Sequence, residues 1–221
     1  MSYTHLLFDH DGVLVNTEPL YLQAIQEQLA TLGITLRETD YIQNMAVGAD
    51  PWALARAAGC DEAMVDQLRD ARDARYQQLL RTRPITIEGV DGLIAELAEH
   101  FQLAIVTTSR DVDFDLIHAL DGQPRTSATP DVVRHMGFIL TRSQYEKSKP
   151  DPQPYLLALS RFGIEPSQAL VIEDSERGLR SAVAAGIDCA AIYHPFTERQ
   201  CFTGARYRFA DLGELKQFLL G

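Results

Sequence analysis

Leu6-Leu7-Phe8-Asp9-His10-Asp11-Gly12 decides how the rest of the chain is read. Three consecutive apolar residues, with no polar alternation, describe a strand covered on both faces of a parallel sheet. The run breaks at an aspartate, and the nearby glycine permits a sharp turn or close approach to a ligand. Further segments have the same form. Leu103-Ala104-Ile105-Val106 ends in Thr107, Ala169-Leu170-Val171-Ile172 ends in Glu173-Asp174, and Ala190-Ala191-Ile192-Tyr193 ends in His194-Pro195. Helical patterns lie between them: Asp91 to His100, Pro152 to Phe162 stopped by Gly163, and Arg177 to Ala185 stopped by Gly186. This alternation predicts an α/β core, a doubly wound parallel sheet. Ligands bind such sheets beyond the carboxyl ends of the strands, where these polar residues fall.

One stretch interrupts the alternation. Thr17 before Pro19 starts a helix that Gly33 stops, with Tyr21, Ile25, Leu29 and Leu32 on one stripe. Helical patterning resumes over residues 50–58 and 62–80. The expected organisation is a core of residues 1–15 and 85–221, with residues 16–84 inserted as a small helical cap domain. Residues 121–131, rich in Gly, Pro, Ser and Thr, read as a loop.

The chain has 221 residues, and its 46% hydrophobic and 23% charged content fits an ordinary globular protein. A net charge of −11 argues against a nucleic-acid surface. It leaves room for an anionic small molecule in a pocket where local cations or a metal reverse the field. Cys60, Cys189 and Cys201 are scattered, so neither a disulfide framework nor a zinc knuckle is expected, and a reduced cytoplasm is. The short apolar run before Asp9 is no secretory signal, and no uncharged run approaches a membrane span. A protein with no membrane or nucleic-acid partner, monomeric or weakly dimeric, is expected.

Each strand end offers a functional reading beside a bland one. Asp9 and Asp11 can divide nucleophilic or metal-binding work from proton transfer, or simply form an acidic turn. Thr107-Thr108-Ser109 can hold phosphoryl oxygens, or cap a helix. Lys149, followed by Pro150, is a positioned cation, although most lysines are merely solvated. Glu173-Asp174-Ser175 ends the most apolar strand, where carboxylates need a compensating cation and suit magnesium; Asp174 or Ser175 would also serve as an N-cap. Taken jointly, a nucleophile, an acid/base, hydroxyls, a lysine and a metal carboxylate on one sheet edge are what phosphoryl transfer requires.

The segments Leu7 to Glu18, Ile105 to Ser109, Lys149-Pro150-Asp151-Pro152, Val171 to Ser175, Gly178 and Ala184-Ala185-Gly186 together resemble the haloacid dehalogenase superfamily. The likeness is to its phosphatase and β-phosphoglucomutase branch, with a helical cap after the first strand, and it covers nearly the whole chain. It implies that Asp9 attacks phosphorus and becomes an aspartyl phosphate, while Asp11 protonates the leaving oxygen and then activates water. It implies Mg²⁺ held by Asp9, the Asp11 carbonyl and Asp174, with Glu173 close by. Thr107 and Thr108 would grip the phosphoryl group with Ser109 beside them, and Lys149 would screen its charge. The cap would select a small phosphate ester such as a sugar phosphate, through Glu18 and a loop containing Gly48 and Trp52; a lone Trp is more often core. Asp50 and Pro51 stand where resembling mutases carry an arginine, which favours hydrolysis over phosphomutase activity. His10 departs from the family's usual apolar residue, and strand alternation predicts that it packs away from the site. Residues 121–133 look more irregular than in relatives. A phospho-accepting signalling protein is the non-catalytic alternative, but its acidic pair would come first in sequence. No G-x-G-x-x-G follows the first strand, against a dinucleotide-binding oxidoreductase.

Overall fold

The computed structural model describes residues 3–46, 49–123 and 127–221. Six parallel strands form its sheet: β1 (His5–Phe8), β2 (Gln102–Val106), β3 (Met136–Leu140), β4 (Ala169–Glu173), β5 (Asp188–Ile192) and β6 (Tyr207–Phe209), in the order β3-β2-β1-β4-β5-β6. The continuous apolar runs have a simple cause. Leu6, Phe8, Leu103, Ile105, Leu170 and Ile172 pack on one face, while Leu7, Ala104, Val106, Val171 and Ala191 pack on the other. Both faces are buried, so neither set of alternating positions needs a polar residue.

Helices α5 (Val90–Ala98) and α9 (Leu212–Leu220) contribute Ile94, Leu97, Leu212 and Leu215 to the first face, and Phe114 joins them from α6 (Asp111–Ile117). Helices α7 (Gln153–Phe162) and α8 (Glu176–Ala184) cover the second through Tyr155, Ala158, Leu179 and Ala182. Gly163 caps α7 in the left-handed conformation, at φ 69°, as its sequence position implies.

Between β1 and α5 the described chain is helical: α1 (Glu18–Ala30), α2 (Glu38–Ala46), α3 (Ala53–Ala57) and α4 (Glu62–Thr82). The α1 stripe buries Ile25 and Leu29 fully, with Tyr21 and Leu32 at its margin. The insert returns at Ile85, whose carbonyl accepts from the Asn16 N–H at 2.8 Å. It does not close its own core. Phe196, from the loop after β5, is buried among Leu22, Tyr41, Trp52 and Val65.

Strands β3 and β6 and helices α2, α6 and α9 extend the pattern read from sequence. β3 contains Gly137 and β6 has three residues, and both lie at sheet edges with half-exposed side chains. Edge strands lack the unbroken apolar signature of the central ones. Among the described residues no helix is long and apolar enough to cross a membrane.

Candidate active site

Sheet geometry delivers the strand-end residues to one edge. Asp9 and Glu173 continue the face of Leu7 and Val171, while His10 continues the opposite face. Lys149 reaches between the two carboxylates and donates to Asp9 Oδ1 at 2.7 Å, Glu173 Oε1 at 2.6 Å and the Val106 carbonyl at 2.7 Å. Its three protons are thereby matched to three acceptors. The lysine is only 4% exposed and Glu173 is fully buried, so this is an interior ion-pair system rather than a solvated one.

Burial raises the Asp9 carboxyl well above its ordinary range, and the charges of Glu173 and Asp174 add to that, against the pull of Lys149. Burial and Glu173 also raise Asp174, although a hydrogen bond from His194 opposes the shift. Burial pulls the Lys149 ammonium down, but Asp9 and Glu173 outweigh it and hold the group above its usual value. Negative charge is in excess here, which is a cation site's electrostatic signature.

One carboxylate oxygen each from Asp9, Glu173 and Asp174 lies within 4.8 Å of the others. An all-oxygen set of this kind suits a hard divalent cation such as Mg²⁺. Glu173 has little left to give: Oε1 accepts from Lys149 and from Tyr155 at 2.8 Å, and Oε2 accepts from Ser175 Oγ at 3.0 Å. It acts as the lysine's counter-ion, which leaves the Asp9 and Asp174 carboxylates as the pair that fits the ion. The Asp11 carbonyl accepts from no N–H among the described residues.

Gly178 explains how Glu173 is accommodated. A Cβ there would fall 1.8 Å from the Glu173 carboxyl carbon. Gly178→Ala is therefore expected to displace Glu173, lowering stability by roughly 1–3 kcal/mol and reducing turnover with it. Denaturant titration and a phosphate-release assay on one preparation test this; an unchanged unfolding midpoint would contradict the packing.

Asp11 occupies a different environment. Thr17 donates to Oδ1 at 2.5 Å, Ser109 donates a short hydrogen bond to Oδ2, and Thr107 approaches Oδ2 at 3.4 Å. Burial raises its carboxyl, but the adjacent His10 ring and these hydrogen bonds outweigh burial and hold it well below the ordinary range. His10 packs on Phe114 and His118 as alternation predicts, with its Nε2 2.9 Å from His118 Nε2. Its other nitrogen also lies 3.4 Å from Asp11 Oδ2, so the ring touches the site rather than standing clear of it.

Thr107 is fully buried; its hydroxyl accepts from the Ser109 N–H, and its carbonyl accepts from Tyr145. Thr108 and Ser109 line a cavity of about 950 Å³ together with Asp11, Glu18 and Tyr41. Glu18 accepts from the Tyr41 hydroxyl at 2.6 Å, which fixes α1 to α2 at the cavity wall. Trp52 is placed otherwise. It is 3% exposed in the core of the helical insert and borders a separate cavity of about 280 Å³. Its burial is the core reading of a lone Trp. Gly48 lies outside the described residues.

Sequence reading passed over His194. The Phe196 N–H donates to its Nδ1, which leaves the ring proton on Nε2, and Nε2 donates to Asp174 Oδ2 at 2.6 Å. A strand-end histidine was visible in the sequence; its partnership with Asp174 across neighbouring strands was not. Gly12, at φ +82°, makes the room, since a Cβ there would lie 2.1 Å from Asp174 Oδ2 and 2.7 Å from His194 Nε2.

A family model described as haloacid dehalogenase-like hydrolase matches residues 6–192. The chain is 31% identical to Protein CbbY of Rhodobacter capsulatus, over 96% of this chain and 95% of that protein. It is 28% identical to the N-acetylmuramic acid 6-phosphate phosphatase of Pseudomonas aeruginosa, over 89% and 84% of the two chains. The crystal structure of CbbY from Rhodobacter sphaeroides in complex with phosphate is similar at a TM-score of 0.73 and 25% identity, covering 96% of each chain.

Proposed function

The chain belongs to the haloacid dehalogenase-like hydrolase family, and from that membership we propose that it hydrolyses a small sugar phosphate or similar metabolite through an aspartyl phosphate at Asp9. It is a phosphoric monoester hydrolase. The sugar-phosphate assignment draws on the substrate named for the Pseudomonas relative. The observation that carries the reading is the buried Lys149 bridging Asp9 and Glu173, with Asp174 beside them.

Asp9 attacks phosphorus in line, and the bond from phosphorus to the leaving oxygen breaks as the acyl phosphate forms. Lys149 fixes the attacking carboxylate and offsets the repulsion between it and the incoming dianion. Asp9, Asp174 and the Asp11 carbonyl would hold Mg²⁺, which when bound would further neutralise the phosphoryl charge. Thr107 and Thr108 position the phosphoryl oxygens. Asp11 gives its proton to the departing alkoxide, then removes one from the water that opens the acyl phosphate, regenerating Asp9. In the resting site the His10 ring and the hydroxyls of Ser109 and Thr17 hold the Asp11 carboxyl below its ordinary range. The approaching phosphate dianion is the like charge that raises the Asp11 carboxyl and lets it carry a proton. The helical insert, residues 16–84, covers the site, excludes water and selects the leaving group. Three free cysteines fit a reducing cytoplasm.

Release of inorganic phosphate from p-nitrophenyl phosphate and a panel of sugar phosphates tests the reading. Turnover is expected to fall to background after treatment with EDTA and to return with added Mg²⁺. Full metal-free turnover, or transfer of the phosphoryl group to sugar instead of water, would overturn it.

A further inference from the structure

Asp9, Glu173 and Asp174 meet at one sheet edge, and a carboxylate turns easily about its terminal torsion unless a partner fixes it. Lys149 fixes Asp9. Lys149, Tyr155 and Ser175 together fix Glu173. Asp174 depends on His194. Among the described residues the His194 ring is the single side chain that donates to the Asp174 carboxylate, at 2.6 Å to Oδ2, and Oδ1 accepts from none.

The ring that does this is held in turn. The Phe196 N–H donates to its Nδ1 at 3.3 Å, which sets the tautomer that donates from Nε2. The His194 carbonyl accepts from the Thr197 and Glu198 N–H groups at 2.9 and 3.0 Å, which curls the loop after β5 into a turn. Phe196 then anchors that loop among Leu22, Tyr41, Trp52 and Val65 of the helical insert. Gly12 backs the contact, because a Cβ there would meet both Asp174 Oδ2 and His194 Nε2. With Oδ2 engaged, the carboxylate has one oxygen left to offer. Outer partners of this kind orient a metal-binding carboxylate and tune its hold on the ion.

We propose that His194 is a positioning residue for the divalent cation: by holding Asp174 Oδ2 it presents Oδ1 to the ion and sets the affinity of the site for Mg²⁺. This rests on the phosphatase reading and on the cation which that reading requires. A purely structural contact, one that only compensates the burial of Asp174, would instead show itself in the stability of the metal-free protein.

Calorimetry of Mg²⁺ binding to the full, metal-stripped chain tests this without any turnover. His194→Leu removes the donor. His194→Asn stays polar but is too short to reach Oδ2, whereas the amide nitrogen of His194→Gln falls near the place of Nε2 and can still donate. Mg²⁺ affinity should drop about 10–100-fold in His194→Leu and His194→Asn, the range for losing an outer partner, and return close to the parent value in His194→Gln. Unfolding in EDTA checks that each variant is folded, and added Mg²⁺ should raise the midpoint less in the two weakened variants than in the parent. Should His194→Leu fail to fold, the comparison of Asn with Gln carries the test. Parent-like affinity in the variants without a donor would overturn the role of His194, and so would an equal loss in His194→Gln. A lower metal-free midpoint with affinity intact would make the contact structural. A parent chain that takes up no Mg²⁺ would overturn the cation of the phosphatase reading itself, an outcome distinct from the others.

Discussion

Replacing Asp9 by Asn is expected to abolish turnover, by roughly 10⁴-fold or more, with the fold left in place. An amide lacks the charge and the nucleophilic oxygen that attack on phosphorus needs. The substitution removes little that holds the protein together. Lys149 keeps Glu173 at 2.6 Å and the Val106 carbonyl at 2.7 Å, and the amide oxygen can still accept from it. It also relieves the crowding that raises Asp9: burial first, then Glu173 and Asp174. An unfolding midpoint at or above that of the parent, together with background phosphate release, is the expected pair of results. An Asp9→Asn protein that turns over at the parent rate would remove the nucleophile from the mechanism.

Lys149→Met has the opposite balance, because it strands charge in the interior. The Lys149 side chain is 2% exposed and that of Glu173 is 0%. Removing one partner of such a pair costs about 3–5 kcal/mol, since the remaining carboxylates keep their desolvation penalty and lose their attraction. Turnover is lost as well, because Asp9 is no longer held or screened. The destabilisation depends on pH with a definite sign. A carboxylate whose folded pKa is raised, as Asp9's is, binds protons better folded than unfolded, so its cost is present above the folded pKa. It fades as pH falls towards the unfolded value. The stability gap between Lys149→Met and the parent should therefore narrow in acid. Adding Glu173→Gln to Lys149→Met should recover part of the loss at neutral pH; no recovery would mean that packing, not stranded charge, sets the cost.

Much of the fold was legible because its central strands are buried on both faces. That condition writes itself into sequence as unbroken apolar runs at Leu6 to Phe8, Leu103 to Val106 and Ala169 to Ile172. The strand ends were legible for the complementary reason: a buried strand stopping at Asp9, Thr107 or Glu173 has placed a polar group where only function or a cap accounts for it. Edges were less legible. β3 and β6 meet solvent on part of their surface, and β6 is held by tertiary context around Tyr207 and Phe209.

Sequence by itself determined the parallel α/β core and the residues at the mouths of its strands, since both follow from local periodicity and from where it breaks. Only the folded chain decided which of those residues meet. It made Glu173 the partner of Lys149, Tyr155 and Ser175, brought His194 onto Asp174 and drew Phe196 into the helical insert. Contacts between strands and across the insert depend on strand order and helix packing, which have no local signature in the residues that make them.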